Sequence, residues 1–312
     1  MNRCCPLCHS ENINEIENIR VADLKKSYKK MLGDSISDEF IGIQSILFMH
    51  CEKCDLKFFN PPITGSETFY EKLQKIDWYY MDEKDEYDYA KRIINKEDSV
   101  LEIGSGKGAF SKKIKSDKYT GLEFSSKAID IAAKDNISIL NELIQEHAVN
   151  NSNKYDVVCA FQVLEHVADI KSFIESSIKC LKPNGILIYS IPSADSFVSL
   201  TSNNILNMPP HHISWWSDKT LSNITHLFGI QLIDIYHEEL ADIHKQWYAS
   251  TVAMRAINNL LGRTQPLLDR NLKTNFLMIL AHIAGFFYKQ GFDDKRILPK
   301  GHSVTAVYRK SD

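Results

Sequence analysis

Ser99-Val100-Leu101-Glu102-Ile103-Gly104-Ser105-Gly106-Lys107-Gly108-Ala109-Phe110 runs from a short apolar segment straight into three glycines within five residues. The apolar part lacks the in/out alternation of a half-buried strand, as expected of a parallel strand covered on both faces. The glycines allow a tight turn and let a ligand approach bare backbone. Further apolar runs follow at 118–124, 137–140, 155–161 and 185–191, and the stretches 109–115, 126–134 and 167–181 between them read as helices. Strands alternating with helices predict an α/β fold with a doubly wound parallel sheet. Such sheets bind ligands at the carboxyl ends of their strands.

The turn after the first strand is therefore the first candidate site. Glu123 lies nineteen residues after Gly104, at the end of the second strand, where a carboxylate can accept hydrogen bonds from ribose hydroxyls. An adenosine-containing ligand is implied. Gly104-x-Gly106-x-x-Ala109 also satisfies the dinucleotide fingerprint, so an NAD(P)-dependent oxidoreductase is one reading of this loop. Glu102, two residues before the first glycine, weighs the other way. Its carboxylate repels a pyrophosphate and tolerates an ammonium or sulfonium group.

Seven cysteines occur, at 4, 5, 8, 51, 54, 159 and 180, five of them in the first 54 residues. An odd number with no apolar leader at the N-terminus does not read as a disulfide framework. Cys5-x-x-Cys8 and Cys51-x-x-Cys54 have the spacing at which two turns supply four thiolates to one structural zinc ion. Cys4, His9 and His50 are alternative ligands, and buried cysteines without a metal are the plain alternative. Forty-two residues separate Cys8 from Cys51. They must fold back, as a helix over 21–32 and a strand over 41–50.

The balance of the chain narrows the function. Its 312 residues suffice for two domains. A net charge of −3 argues against a surface built to grip polyphosphate, so a nucleic-acid partner is not expected. The most apolar stretch, 276–288, is too short to cross a bilayer, which places the protein in the cytoplasm. The last third reads as a strand at 230–236, a mostly helical insertion over 241–300, and a strand at 302–308. The insertion has the apolar surface of a substrate cover or a homodimer face.

The glycine turn, Gly121-Leu122-Glu123-Phe124-Ser125, Phe161-Gln162-Val163-Leu164-Glu165-His166-Val167 and Leu181-Lys182-Pro183-Asn184-Gly185 occur in this order. In them the chain resembles the class I S-adenosylmethionine-dependent methyltransferases, over 96 to about 240. The cysteine pairs and Pro209-Pro210-His211-His212-Ile213-Ser214-Trp215-Trp216 are similar to a bacterial subgroup that joins a small zinc module to that core and modifies sugars or other small metabolites.

The resemblance implies a Rossmann-like sheet of seven strands, the last antiparallel. It also implies a zinc-ribbon-like module at 1–62, linker or lid helices at 63–95 and a catalytic domain at 96–312. Gly104, Ser105, Gly106 and Gly108 would cradle the methionine part of S-adenosyl-L-methionine, and Glu102 would fix its amino group. Glu123 would hold the ribose, Phe124 the adenine, and Phe161 and Gln162 the sulfonium region. At the third strand Asn141 or Glu142 would reach the adenine amine. Asn184 departs from the usual glycine, which asparagine can replace in a left-handed turn. Phe124 and Phe161 read equally well as core aromatics.

Methyl transfer to a hydroxyl or amine also needs a proton acceptor, and histidine suits that task. His166, His211 and His212 are the candidates, each with a packing role as its alternative. Tyr79, Tyr80 and Tyr87 sit where a lid helix would lie. The expected activity is methyl transfer to a small molecule, a sugar or nucleotide-linked sugar. The competing readings are an RNA or protein methyltransferase that uses the zinc module as a reader, the oxidoreductase, and a non-catalytic scaffold.

Overall fold

The structure is a computed structural model that describes residues 4–73, 75–76, 84–292 and 299–312. Eleven strands and nine α-helices are formed among the described residues. The strands are β1 (Ile13–Arg20), β2 (Ser45–Cys51), β3 (Lys57–Asn60), β4 (Ser99–Ile103), β5 (Lys118–Leu122), β6 (Ile139–Leu140), β7 (Tyr155–Phe161), β8 (Leu181–Pro192), β9 (Ser214–Trp215), β10 (Ile230–Glu239) and β11 (Lys300–Lys310). The helices are α1 (Val21–Leu32), α2 (Glu67–Leu73), α3 (Asp85–Ala90), α4 (Ser126–Lys134), α5 (Ile144–Asn150), α6 (Ile170–Cys180), α7 (Asp218–Phe228), α8 (Lys245–Leu260) and α9 (Leu272–Tyr288).

Seven strands form one sheet in the order β10-β11-β8-β7-β4-β5-β6. The pairs β4–β5, β4–β7, β5–β6 and β7–β8 are parallel, and β11 runs antiparallel to both β8 and β10. This is the expected doubly wound sheet, closed by an antiparallel last strand. The order reverses at β4, so β4 and β7 open a crevice at their carboxyl ends, where such folds bind ligands. Val100, Leu101, Val157, Val158 and Cys159 are buried on both faces of these central strands, which is why their sequence shows no alternation.

Helix starts follow local capping chemistry. Ser125 Oγ accepts from Ala128 N at 3.3 Å ahead of α4, and Ser217 Oγ accepts from Thr220 N at 3.1 Å ahead of α7. The helix expected over 109–115 does not form, and these residues make successive turns. Gly106 and Gly108 enter the segment in left-handed conformations, and a seven-residue stretch rich in lysine is too short to recover the cost of nucleation. The strand expected over 41–50 starts later, at Ser45, and the helix expected over 167–181 starts at Ile170, where Asp169 caps it. Asn184 takes the left-handed turn, at φ 62°.

The N-terminal residues build a second, four-stranded sheet in the order β1-β2-β3-β9. Its last strand comes from the other end of the chain. Lys57 and Phe58 pair with Trp215 and Ser214. Tyr28 O–H donates to the carbonyls of Ile205 and Met208 at 2.7 and 3.0 Å. The cysteine segment is thus fastened to the loop that follows β8. The insertion between β10 and β11 carries α8 and α9. Phe276, Ile279, Ile283, Phe286 and Phe287 on α9 are exposed. Among the described residues no helix is long and apolar enough to cross a membrane.

Candidate functional site

A cavity of about 2150 Å³ opens over the carboxyl ends of β4, β5 and β7. At one end it is walled by the glycine turn. Gly104, Gly106 and Gly108 adopt φ of 71°, 52° and 78°, which residues with a side chain rarely adopt. A Cβ on Gly104 would lie 2.4 Å from Val163 Cγ2, whereas one on Gly106 would meet no protein atom within 4 Å. The turn is therefore tight against β7 on one side and open on the other, as a cradle for a ligand requires. Glu123 organises it. Its Oε2 accepts from Gly106 N at 2.8 Å, and its Oε1 accepts from Phe124 N and Ser125 N at 2.7 and 2.9 Å. A carboxylate has about four acceptor positions, so capacity remains for a hydroxyl in the cavity.

The other expected contacts divide. Phe124 is 59% exposed and lines the cavity, with Ser105, Glu142 and Gln162. Glu142 Oε2 lies 2.8 Å from His147 Nδ1, and Asn141 Nδ2 donates to the carbonyls of Glu123 and Phe124. Gln162 has φ 58° and donates through Nε2 to Ser303 Oγ at 3.2 Å. Phe161 borders the cavity but is 4% exposed, its ring 4.9 Å from Tyr87 and 4.7 Å from Phe110. Gly108 sits behind the turn, next to Ile137. Glu102 is also behind the wall, 1% exposed, and accepts from the Tyr119 hydroxyl. Burial pushes its carboxyl up to about 8, against the opposing effect of the tyrosine. Tyr87 lies on α3; Trp78, Tyr79 and Tyr80 fall outside the described residues.

The wall of the same cavity also gathers the three histidines from separate segments. His166 follows β7, and His211 and His212 lie in the loop between β8 and β9. Their ring centroids are 4.7 Å (His166–His211), 5.0 Å (His166–His212) and 4.3 Å (His211–His212) apart. His166 Nδ1 donates to the His211 carbonyl at 2.5 Å, His211 Nδ1 to the Leu206 carbonyl at 2.7 Å, and His212 Nδ1 to Asn207 Oδ1 at 3.0 Å. Burial pulls the His166 imidazole down to about 4 and moves His211 and His212 the same way. All three are neutral near pH 7.

Two members of this end carried no sequence assignment. Tyr70, on α2, brings its hydroxyl to 3.1 Å from His166 Nδ1. Glu165 is 1% exposed and lines the cavity, and neither carboxylate oxygen has a hydrogen-bond partner. Its Oε1 lies 3.8 Å from His166 Nε2 and 4.0 Å from His212 Nε2. Burial pushes the Glu165 carboxyl up to about 8. Glu165 was legible as the neighbour of His166, whereas Tyr70 gave no local signal.

Away from the cavity, Cys5, Cys8, Cys51 and Cys54 bring their sulfurs within 4.8 Å of one another, with Cys5–Cys54 and Cys8–Cys51 at 3.5 Å. Four thiolates about 2.3 Å from a tetrahedral zinc ion stand about 3.8 Å apart, so the cluster fits that ion. The Cys54 contact draws the Cys5 thiol down to about 6.

A crevice at the sheet reversal, a glycine cradle and a carboxylate on the second strand define an adenosyl-binding α/β enzyme fold. A family model described as a methyltransferase domain matches residues 77–235, just over half of the chain. The chain belongs to this family, within the class I S-adenosylmethionine-dependent methyltransferases. Among curated proteins it is similar to the ubiquinone biosynthesis O-methyltransferase of Erwinia tasmaniensis, with 27% identity over 155 residues, 42% of this chain and 64% of that protein. The Vibrio atlanticus protein of the same name is 31% identical over 99 residues, 29% of this chain and 42% of that one. The chain thus spans less than two thirds of the length of these relatives. Among solved structures, a SAM dependent methyltransferase from Archaeoglobus fulgidus aligns with TM-score 0.49 and 16% identity, over 78% of this chain and 98% of that one.

Proposed function

We propose that the protein transfers a methyl group from S-adenosylmethionine to a hydroxyl of a small-molecule acceptor. The observation that carries this reading is one cavity lined by both a glycine turn and a histidine–glutamate cluster. When bound, the donor supplies a methyl carbon already activated by its sulfonium. Gly104, Ser105 and Gly106 would hold its methionine part, Glu123 its ribose and Phe124 its adenine. Glu102 would act from behind the turn, and Gln162 would border the sulfonium. The protein's own task is to align the acceptor oxygen in line with that carbon and to exclude water. The acceptor proton leaves at the cluster of His166, His211, His212 and Glu165. A hydroxyl acceptor agrees with the O-methyltransferase names of the relatives.

For the acceptor we favour a sugar or nucleotide-linked sugar. Its support is the cavity volume, about 2150 Å³ against roughly 300–1,000 Å³ for a usual small-ligand pocket, which leaves room beside the donor for a second bulky molecule. The test is calorimetry with S-adenosylhomocysteine, followed by methyl transfer assayed on nucleotide-linked sugars and on phenols. Absence of donor binding to folded protein would overturn the reading, and turnover of phenols alone would overturn its sugar part.

In this reading Cys5, Cys8, Cys51 and Cys54 hold a structural zinc ion, and residues 1–62 act as a docked module. Metal analysis should give one zinc fewer per chain in Cys51→Ser than in wild type. The exposed face of α9 is the proposed contact for a homodimer, to be checked by sedimentation of wild type against Phe286→Glu.

A further inference from the structure

A further stretch of the cavity wall brings together the start of α3, the end of β10 and the start of β11. It carries Glu86, Glu238 and His302, with Trp247 of α8 beside them. Gln162, read above as bordering the sulfonium, is tied to it. Its Nε2 donates to Ser303 Oγ at 3.2 Å and to Glu86 Oε1 at 3.4 Å.

Glu238 is fixed in this wall. Its Oε1 accepts from His302 N at 2.8 Å, from Ser303 N at 2.9 Å and from His302 Nδ1 at 3.2 Å. The chain makes room for the side chain, since a Cβ on Gly301 would lie 2.4 Å from Glu238 Cγ. All three bonds fall on one oxygen. Among the described residues Oε2 accepts from none, and no lysine or arginine pairs with the carboxylate. Against the opposing effect of burial, the bonds from His302 and Ser303 hold this carboxyl below the usual carboxylate range, so it is an anion near pH 7. A carboxylate held in place with one oxygen unspent can take a hydrogen-bond donor from a ligand.

The charge of the wall selects the kind of donor. Among the described residues that line the cavity, aspartate and glutamate outnumber lysine by eleven to three, and arginine does not occur. Burial pushes the Glu165 carboxyl up to about 8 and moves Glu86 the same way, which weakens those two as anions near pH 7. Glu238 keeps its charge. A phosphate or carboxylate brought against it would be repelled and an ammonium attracted. Trp247 adds an aromatic ring 5.7 Å from that of His244, which lies 5.3 Å from the His302 ring, and aromatic faces favour alkylammonium ions.

We infer that Glu238 selects the acceptor, and that the acceptor carries an ammonium group that seats on Glu238 Oε2. This rests on the methyltransferase reading proposed above and narrows its acceptor from a sugar to an amino sugar. The ammonium anchors the molecule, and a separate hydroxyl receives the methyl group.

The experiment uses the full chain, with and without S-adenosylhomocysteine, and probes that differ in one charge: D-glucosamine against D-glucose, and tyramine against tyrosol. Dissociation constants are read by ligand-observed NMR. The ammonium member of at least one pair should bind wild type about tenfold or more tightly than its neutral partner. D-glucuronate should bind more weakly than D-glucose. Glu238→Gln, a near-isosteric change, should bring the ratio within each pair to about one, with S-adenosylhomocysteine affinity and Tm close to wild type. Glu238→Asp, which keeps the charge, should retain part of the preference. The inference is overturned if wild type prefers neither ammonium probe, a comparison that needs no variant, or if folded Glu238→Gln keeps the preference. Donor binding without a preference for ammonium removes this inference and leaves the methyltransferase reading. A preference that depends on Glu238 in protein that binds no S-adenosylhomocysteine keeps the cation site and removes that reading.

Discussion

The two parts of the cavity wall, the glycine end and the histidine end, are built on opposite principles. The glycine end is made of backbone: three left-handed glycines and the amides of Gly106, Phe124 and Ser125 gathered by one carboxylate. All of it lies within residues 104–125, across two neighbouring parallel strands. The histidine end is made of side chains drawn from Tyr70, the turn after β7 and the loop between β8 and β9. On the proposed reading, the first would fix a ligand by the shape of the chain, and the second by chemistry assembled over long sequence distances. A donor common to a whole family suits the first, and an acceptor peculiar to one member suits the second.

That division can be broken by substitution. The largest expected effect is at the histidine end. His166→Ala or Glu165→Gln should lower kcat about 10²- to 10⁴-fold, the usual weight of a proton-transfer group. S-adenosylhomocysteine affinity, measured by calorimetry, should stay within about twofold. An equal loss of both would show that the two ends are not separate.

Glu123→Ala should do the reverse. It loosens the turn by removing three charge-assisted hydrogen bonds, and the loss of one such bond to the donor, about 1.5–3 kcal/mol, should lower donor affinity about 10- to 100-fold. The acceptor KM should barely move.

Gly104→Ala should be milder, about tenfold in donor affinity. The left-handed backbone costs about 1–2 kcal/mol with a side chain present, and the contact with Val163 adds to it.

The smallest effect concerns pH. The Glu102 carboxyl is raised to about 8 in the folded chain by burial. A raised carboxyl contributes stability that is complete below its unfolded value and is lost as pH rises through the folded one. Wild type should therefore lose a few degrees more of Tm between pH 6 and pH 9 than Glu102→Gln, read by calorimetric melts. A parallel fall in the two proteins would show that Glu102 is not the group concerned.

The same contrast explains what the sequence disclosed. The doubly wound sheet, the tight glycine turn and the place of Glu123 beside it were legible because each rests on local patterns: unalternated apolar runs, glycines at fixed offsets, and a carboxylate at a strand end. The four cysteines were legible from their spacing. The turns at 109–115 were not, because helical composition there is overruled by the backbone of the preceding glycines. Nor was Tyr70, which reaches the site only through the packing of α2, or the pairing of β3 with β9, which joins residues more than 150 apart. The histidines could be named from the sequence as three candidates, but their gathering, with His166 and His212 beside one buried carboxyl group, is a fact of the fold.

The β3–β9 ladder has a mechanical consequence. Ser214 and Trp215 are held by Phe58 and Lys57 only two residues beyond His212, and Cys54 lies three residues before Lys57. The sulfur cluster and the imidazole cluster are thus linked in series through two short stretches of chain and one strand pairing. Trimming away the first sixty residues does not shorten an appendage; it removes the clamp that keeps two of the three rings in register.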